Sequence, residues 1–170
     1  MALINTQVKP FNASAFKAGE FVEVSEKDIA GKWSIFFFYP ADFTFVCPTE
    51  IIAFSNSMGE FKKRNTEVLG VSVDSHFSHL AWRNTDRKNG GLGDIAYPLV
   101  SDLNKKITCD YGVMHEAGIA FRGLFLIDKE GVVQHQLINN LPLGRNIDEA
   151  LRMVDALQFH ENNGEVCPAN

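Results

Sequence analysis

The sequence predicts a mixed α/β domain in which helices cover both faces of a central β-sheet. Residues 32–39 are a nearly uninterrupted aromatic and aliphatic run that stops at Pro40, as expected of a strand buried on both faces. Residues 66–74 form a second apolar run, and the segment between the two, residues 51–64, has helical character. Together the three segments predict a βαβ unit with a parallel pair of strands.

The remaining segments complete this α/β pattern. Residues 123–128 and 132–137 flank a turn and predict a β-hairpin. The other predicted elements are, in chain order, a helix over 75–85 with Ser75 as its N-cap, a glycine-rich loop over 90–93, a short strand over 97–100, a short helix over 104–110 and a last helix over 147–160. A βαβ unit followed by a hairpin and a closing helix fits a thioredoxin-like fold with a mixed central sheet.

Length and composition predict one domain followed by a tail. A chain of 170 residues with 45 % hydrophobic residues can bury a sufficient core without disulfide bonds. We expect residues 1–160 to form this domain. Residues 161–170 show no hydrophobic period and are broken by Gly164 and Pro168, which predicts an extended, mobile tail.

Charge and hydropathy exclude several kinds of partner. A net charge of -5 without a basic patch argues against binding to nucleic acid. The longest apolar run, residues 33–39, is far shorter than the roughly 20 residues that cross a bilayer, so no membrane contact is expected. Residues 1–6 do not resemble a secretory signal, and we therefore expect a cytoplasmic protein whose cysteines are catalytic, redox-active or metal-bound.

The most informative segment, residues 38–50, joins the first buried strand to the following helix. Loops at the carboxyl ends of strands are the usual ligand-binding places of open α/β sheets. Cys47 is followed by Pro48 and by Glu50 in the first helical turn, which predicts that Cys47 is the N-cap of the helix. The free N–H groups at that end favour a thiolate over a thiol, and the Thr44 hydroxyl can turn toward the sulfur or toward a substrate.

Without its surrounding motif, a cysteine at this position is more often a buried small apolar residue behind an aromatic strand than a reactive thiol. The segment contains no Cys-x-x-Cys motif, which disfavours a dithiol exchange enzyme. A cysteine hydrolase would need a histidine base, and none of the five histidines lies in this segment. His76 and His79 are spaced for one helix face, but no further ligand spacing supports a metal, so we interpret them as part of a polar face.

The residues Phe-Tyr-Pro-Ala-Asp-Phe-Thr-Phe-Val-Cys-Pro-Thr-Glu at positions 38–50 closely resemble the active-site signature of the typical two-cysteine peroxiredoxins, the alkyl hydroperoxide reductase C group. The resemblance extends in the same order through residues 71–82, 90–93, 122–128 and 164–168. It therefore covers most of the chain.

The resemblance implies a role for each residue of the site. Cys47 matches the peroxidatic cysteine, and Pro40 and Thr44 complete the Pro-x-x-x-Thr-x-x-Cys motif. Arg122 matches the distal arginine, whose fixed donors stabilise the thiolate and the charge that develops on the leaving oxygen. Glu50 is similar to a residue that positions this arginine, although it is also a favourable first-turn acid on its own.

The resemblance also implies a second cysteine and a partner subunit. A sulfenic acid formed on Cys47 is recovered when another thiol captures it, and Cys167 matches the resolving cysteine that the partner subunit supplies. Cys109 matches no motif and is interpreted as a packed or spectator residue.

The implied activity is a thiol peroxidase that reduces hydrogen peroxide and organic hydroperoxides, in antioxidant defence and redox homeostasis. Thioredoxin or a flavoprotein disulfide reductase would restore the thiols, with no metal or organic cofactor, in a homodimer that assembles further into a decamer. The alternative is a redox-regulated chaperone or peroxide relay, which the ring assemblies of this family can also become.

Overall fold

The computed structural model describes residues 2–168 and contains one seven-stranded sheet in the order β2-β1-β5-β4-β3-β6-β7. The strands are β1 (Asn12–Lys17), β2 (Glu20–Ser25), β3 (Trp33–Phe38), β4 (Thr66–Ser72), β5 (Leu99–Ser101), β6 (Arg122–Ile127) and β7 (Val133–Asn139). The helices are α1 (Cys47–Asn56), α2 (Met58–Lys63), α3 (His76–Asn84), α4 (Lys106–Asp110) and α5 (Ile147–Asn163). None of the helices within residues 2–168 is long and apolar enough to cross a membrane.

The sheet is mixed, as the sequence predicts. Strand β3 pairs in parallel with β4 and antiparallel with β6, and β4 pairs in parallel with β5. Strands β6 and β7 form the predicted hairpin with a register shift at Leu126/Ile127. The α/β class and the thioredoxin-like arrangement are therefore confirmed.

Strand β3 lies inside the sheet, between β4 and β6, and every one of its side chains is buried. Successive side chains of a strand point to opposite faces, so Phe37 packs with Tyr39 in a core beneath α1 and α5, while Phe36 and Phe38 pack in a second core on the other face. Two cores that share one strand explain why residues 33–39 carry no polar alternation. This arrangement fixes the end of β3, where the loop to α1 begins.

Several boundaries differ from the sequence-based expectations. The helix predicted over residues 51–64 is two helices, α1 and α2, separated at Ser57, and it begins earlier, at Cys47. Helix α3 begins after the predicted N-cap, where the Ser75 hydroxyl accepts from the Ser78 N–H at 3.2 Å. Helix α5 continues three residues beyond the expected end, to Asn163, so the first part of the predicted tail is helical.

The hairpin of β1 and β2 at one edge of the sheet was not predicted. Its register pairs Lys17 with Glu20, which leaves only Ala18 and Gly19 in the turn, with φ of 51° and 95°. Positive φ at both central positions is the mark of a type I′ turn, in which Asn-Gly is the usual sequence. Because alanine replaces asparagine at the first position, the sequence lacks the usual signal for this turn.

Candidate active site

The Cys47 thiol lies at the start of α1, beyond the carboxyl end of β3, and is fully buried. The prediction that Cys47 is the N-cap is wrong by one position. Val46 is the N-cap, with helical φ and ψ and no side-chain hydrogen bond, and Cys47 is the first helical residue. The sulfur still belongs to the helical turn whose N–H groups lack intrahelical acceptors, so the favourable end of the helix dipole remains next to it.

The Arg122 side chain reaches the sulfur from the neighbouring strand. Because β6 runs antiparallel to β3, its first residue lies at the same end of the sheet as the last residues of β3. The Nη1 of Arg122 is 3.4 Å from the Sγ of Cys47, and its Nε donates to the carbonyl oxygen of Leu141 at 2.6 Å. Cys47 and Arg122 are 75 positions apart in sequence, and the sheet brings them together.

The carboxylate of Glu50 completes a buried chain of contacts behind the thiol. Its Oε2 accepts from Nη1 of Arg122 at 2.6 Å, so this one nitrogen serves both the sulfur and the carboxylate. Burial alone raises the pKa of Glu50, but the hydrogen bonds and charge of Arg145, together with the charge of Arg122, lower this pKa below its ordinary value. The carboxylate is thus held ionised beside the guanidinium group.

The buried Arg145 is the residue of this site that the sequence-based search missed. Its Nε and backbone N–H both donate to Oε1 of Glu50 at 2.8 Å, and its Nη2 donates to Oε2 at 3.0 Å. Its Nη1 donates to the carbonyl oxygens of Phe38 at 2.7 Å and Gly123 at 2.5 Å. Arg145 stands alone in a loop before α5, 95 positions from Glu50, and no local pattern signals its burial.

Pro40 and Thr44 belong to the loop between β3 and α1, residues 40–46, which we call the active-site loop. Pro40 is buried directly after the central strand. The Thr44 hydroxyl donates to the carbonyl oxygen of Ala41 at 3.1 Å and not to the sulfur. Its own lone pairs remain available as acceptors for a hydroxyl group on a bound molecule.

The structure does not bring the other two cysteines to this site. All three cysteines are free; Cys167 is exposed, and its Sγ donates to the carbonyl oxygen of Ala156 at 3.0 Å. Gly164 ends α5 with a φ of +67°, and the chain then turns back along the helix. Cys109 is exposed on α4, so it is not a packed residue. Of the two interpretations offered for Cys109, the spectator role is the one that remains.

The interpretation of His79 as part of a polar helix face is wrong. His79 is completely buried and its Nδ1 is 2.8 Å from the Oδ2 of Asp42, whereas His76 is half-buried against Phe77.

Three carboxylates at the far end of β6, those of Asp128, Glu130 and Glu161, have oxygens within 4.8 Å of one another. Such acidic groups are common in the absence of a metal, and these lie away from Cys47.

Comparison with known proteins places the chain in a family. The AhpC/TSA family matches residues 4–136. The chain is 58 % identical over 171 residues to the chloroplastic 2-Cys peroxiredoxin BAS1 of Spinacia oleracea, covering 99 % of this chain and 64 % of that protein. It is 60 % identical over 167 residues to the mitochondrial thioredoxin-dependent peroxide reductase of Mus musculus, covering 97 % and 65 %. The chain thus spans slightly less than two thirds of the length of these relatives.

Solved structures give the same result. Reduced 2-Cys peroxiredoxin of Plasmodium vivax superposes with a TM-score of 0.97 at 46 % identity, over 100 % of this chain and 89 % of that one. AhpC of Enterococcus faecalis superposes with a TM-score of 0.92 at 43 % identity, over 99 % and 100 %.

The relatives also correct the expected location. A cytoplasmic protein was predicted, but the matched relatives are named as chloroplastic and mitochondrial proteins, and the cytoplasmic prediction is wrong. Residues 1–6 therefore carried no information on the compartment. The remaining features agree with one another, because the family match, the sheet order and the Cys47–Arg122–Glu50 contacts support the same assignment. The chain belongs to the AhpC/TSA family, among the 2-Cys peroxiredoxins.

Proposed function

We propose that this chain is a thiol peroxidase that reduces hydrogen peroxide and organic hydroperoxides. The observation that carries the proposal is the position of Arg122, whose Nη1 lies 3.4 Å from the buried Cys47 sulfur and 2.6 Å from the Glu50 carboxylate. A guanidinium group at this distance stabilises a thiolate, which is the nucleophile of cysteine chemistry. The names of the matched relatives, which include a peroxide reductase, support the same activity.

In the first step, the Cys47 thiolate attacks one oxygen of the hydroperoxide. A sulfur–oxygen bond forms and the oxygen–oxygen bond breaks; the cysteine becomes a sulfenic acid, and the leaving oxygen takes up a proton to give water or an alcohol. Charge accumulates on the leaving oxygen before it is protonated. Arg122 is the donor beside that position, and its placement on a strand requires no rearrangement during the step.

Three further residues serve this step. The Thr44 hydroxyl donates its proton to the carbonyl oxygen of Ala41. Its oxygen therefore accepts a hydrogen bond from the hydroperoxide and orients it. Pro40, buried after β3, keeps water from the thiolate. Glu50 holds Arg122 through the 2.6 Å ion pair and is itself fixed by Arg145, so its role is to position Arg122.

In the second step, the thiol of Cys167 from the partner subunit attacks the sulfenic acid, forms a disulfide with Cys47 and releases water. We assign this step to the tail, residues 161–170, and the first step to the domain, residues 1–160. Thioredoxin or a flavoprotein disulfide reductase then restores both thiols, at the expense of its own dithiol or of a reduced flavin. Thioredoxin is favoured because several relatives are named as thioredoxin-dependent.

The proposed subunit arrangement is a homodimer, with further assembly into a decamer. Strand β7 forms one edge of the sheet; its first residue, Val133, exchanges backbone hydrogen bonds with residues 5–6, and the edge beyond it can pair with the same strand of a second copy. Chemical crosslinking and sedimentation of the reduced protein would measure the size of the assembly.

The activity is tested by the consumption of hydrogen peroxide with a thioredoxin system, for the native chain and three variants. We expect Cys47→Ser to abolish consumption, Cys167→Ser to stop turnover after one equivalent of peroxide, and Cys109→Ser to leave turnover unchanged. On a non-reducing gel, one equivalent of peroxide should produce a covalent dimer of the native chain and of Cys109→Ser only. Consumption of peroxide by Cys47→Ser would overturn the proposal.

A further inference from the structure

A buried histidine–aspartate pair lies at the beginning of the active-site loop and is not used by the proposed reaction. His79 on α3 is fully buried, and its Nδ1 is 2.8 Å from Oδ2 of Asp42, the third residue of the loop. Because a carboxylate only accepts hydrogen bonds, Nδ1 carries the proton that joins them. The other ring nitrogen, Nε2, is 3.4 Å from the carbonyl oxygen of Val100 on β5.

Asp42 is held from two more directions. The Tyr39 hydroxyl donates to Oδ1 of Asp42 at 3.0 Å, and the backbone N–H of Asp42 donates to Oδ2 of Asp74 at 2.9 Å. Asp74 is fixed in turn by the Ser72 hydroxyl at 2.8 Å. Burial and the nearby charge of Asp42 raise the pKa of Asp74, as expected of two carboxyl groups that share one buried cluster. One residue of the loop is thus tied to α3, to the end of β3 and to the end of β4.

The character of the loop changes immediately after Asp42. Phe43 has a φ of +55° and is 54 % exposed, and Phe45 is 97 % exposed. The next buried polar anchor is Glu50, held by Arg122 and Arg145. Cys47 therefore lies on a segment that is bracketed by two buried polar contacts, the one between His79 and Asp42 and the one of Glu50 with the two arginines.

The Asp42 anchor also determines the position of Thr44. The hydroxyl of Thr44 donates to the carbonyl oxygen of Ala41, the residue directly before Asp42. A displacement of Asp42 consequently moves the acceptor that orients the Thr44 side chain. Within residues 2–168, the Thr44 hydroxyl makes no hydrogen bond to α1, on the other side of the loop.

We propose that His79 is a positioning residue of the active site, which acts through Asp42 to hold the active-site loop in the conformation that presents Thr44 and Cys47. This inference rests on the proposed peroxidase function. It differs from a purely stabilising role in one respect: the contact that matters is the one from Nδ1 to Asp42. The same ring without that contact would still fill the core but would release the loop.

The two amide substitutions of His79 separate these roles. In His79→Asn the amide nitrogen lies close to the position of Nδ1 and can still donate to Asp42. In His79→Gln the amide lies one bond further along, near Nε2, and faces Val100 instead. Both variants are polar and uncharged. Val68→Ala, in the buried first half of β4, is the control for a loss of stability without a change in the loop.

Two rates are measured for each variant, together with the midpoint of thermal unfolding. The first is the rate constant for oxidation of Cys47 by hydrogen peroxide, and the second is the rate of alkylation of Cys47 by iodoacetamide. Both are measured with Cys109 and Cys167 replaced by serine, because these exposed thiols would also react. Alkylation reports how often the buried thiol opens to solvent and needs no peroxidase activity.

We expect His79→Gln to slow oxidation by about tenfold and to accelerate alkylation, because a small misplacement of reacting groups already costs this much. His79→Asn should remain within about threefold of the parent rate for both reactions. Val68→Ala should lower the unfolding midpoint and leave both rates unchanged. Tyr39→Phe removes the hydroxyl that contacts both Oδ1 of Asp42 and Nδ1 of His79 but leaves the contact between His79 and Asp42, and should shift both rates in the same direction as His79→Gln but less.

Equal rates for His79→Asn and His79→Gln would overturn the proposal, as would slowing by Val68→Ala to the same extent as by His79→Gln. An unchanged alkylation rate in both His79→Gln and Tyr39→Phe would also overturn it. If the parent protein itself reacts with peroxide no faster than a free thiol, the proposed function fails. The alkylation rates then still decide whether His79 holds the loop.

Discussion

Replacement of Arg145 by lysine tests how much the stability of this fold depends on one buried guanidinium group. The side chain of Arg145 donates four hydrogen bonds, two to the carboxylate of Glu50 and one each to the carbonyl oxygens of Phe38 and Gly123. These two carbonyls lie just beyond Phe37 and Leu124, the last paired residues of β3 and β6. Arg145 thus joins the two strands where their own ladder has ended.

The magnitude follows from the number of acceptors that lysine cannot reach. Lysine keeps the positive charge but has a single nitrogen, and the Glu50 carboxylate is its strongest partner. If the ammonium group stays with Glu50, both carbonyls lose their donor, and a buried acceptor without a partner costs about 1–3 kcal/mol. Arg145→Lys should therefore lower the free energy of unfolding by about 2–6 kcal/mol, a large part of the roughly 5–15 kcal/mol of a typical domain.

Urea denaturation of the reduced protein, followed by circular dichroism, measures this change. The matched control is Arg152→Lys on α5, where the exposed arginine pairs with Glu149 and the expected change is below about 0.5 kcal/mol. Oxidation of Cys47 should also slow in Arg145→Lys, because Glu50 then holds Arg122 less firmly. A loss of less than about 1 kcal/mol with an unchanged oxidation rate would refute the assignment of Arg145 as the link between the strands and the site.

Three further outcomes are expected. The pKa of Glu50 is lowered in the folded state, so the contribution of its carboxylate to the free energy of unfolding is present above the ordinary pKa of about 4.3. This contribution is lost as the pH falls through the lowered pKa. Urea titrations should therefore show the stabilities of the native protein and of Glu50→Gln converging in that acid range. Burial lowers the pKa of His135 on β7, so stability should rise with pH between the lowered pKa and about 6.5, and His135→Gln should remove this slope. The side chain of Asn146 accepts from the N–H groups of Asp148 and Glu149 at the start of α5, and Asn146→Ala should lower the free energy of unfolding by about 1 kcal/mol in the same assay.

The elements that sequence could predict are those whose signal is local. Strand β3 has every side chain buried, which favours a nearly continuous aromatic and aliphatic run, broken here only by Ser34, and its short length before Pro40 favours a strand. The start of α3 is similarly marked, because Ser75 is a preferred N-cap residue and its hydroxyl does accept from Ser78. The exact start of α1 could not be predicted, because its N-cap, Val46, makes no side-chain hydrogen bond that the sequence would indicate.

The buried charges of the site could not be predicted in this way. His79 lies three residues before Trp82 on α3, and both are buried, yet nothing within the helix indicates that Asp42, 37 positions away, covers the histidine. Arg145 meets Glu50 across 95 positions. Charged side chains are normally exposed, and only a tertiary partner reverses that preference. Arg122 was identified by its resemblance to a family motif and not by any local pattern.

The end of α5 limits where the Cys167 thiol can travel. Gly164 closes the helix, and Cys167 follows three residues later, with the Glu165 carbonyl held by the His160 ring at 2.9 Å. Three extended residues span at most about 11 Å, so Cys167 stays within about 11 Å of the end of α5 as long as the helix remains folded. The direction in which α5 points therefore selects which sulfur this thiol can meet, and any greater reach requires the last turns of the helix to unwind.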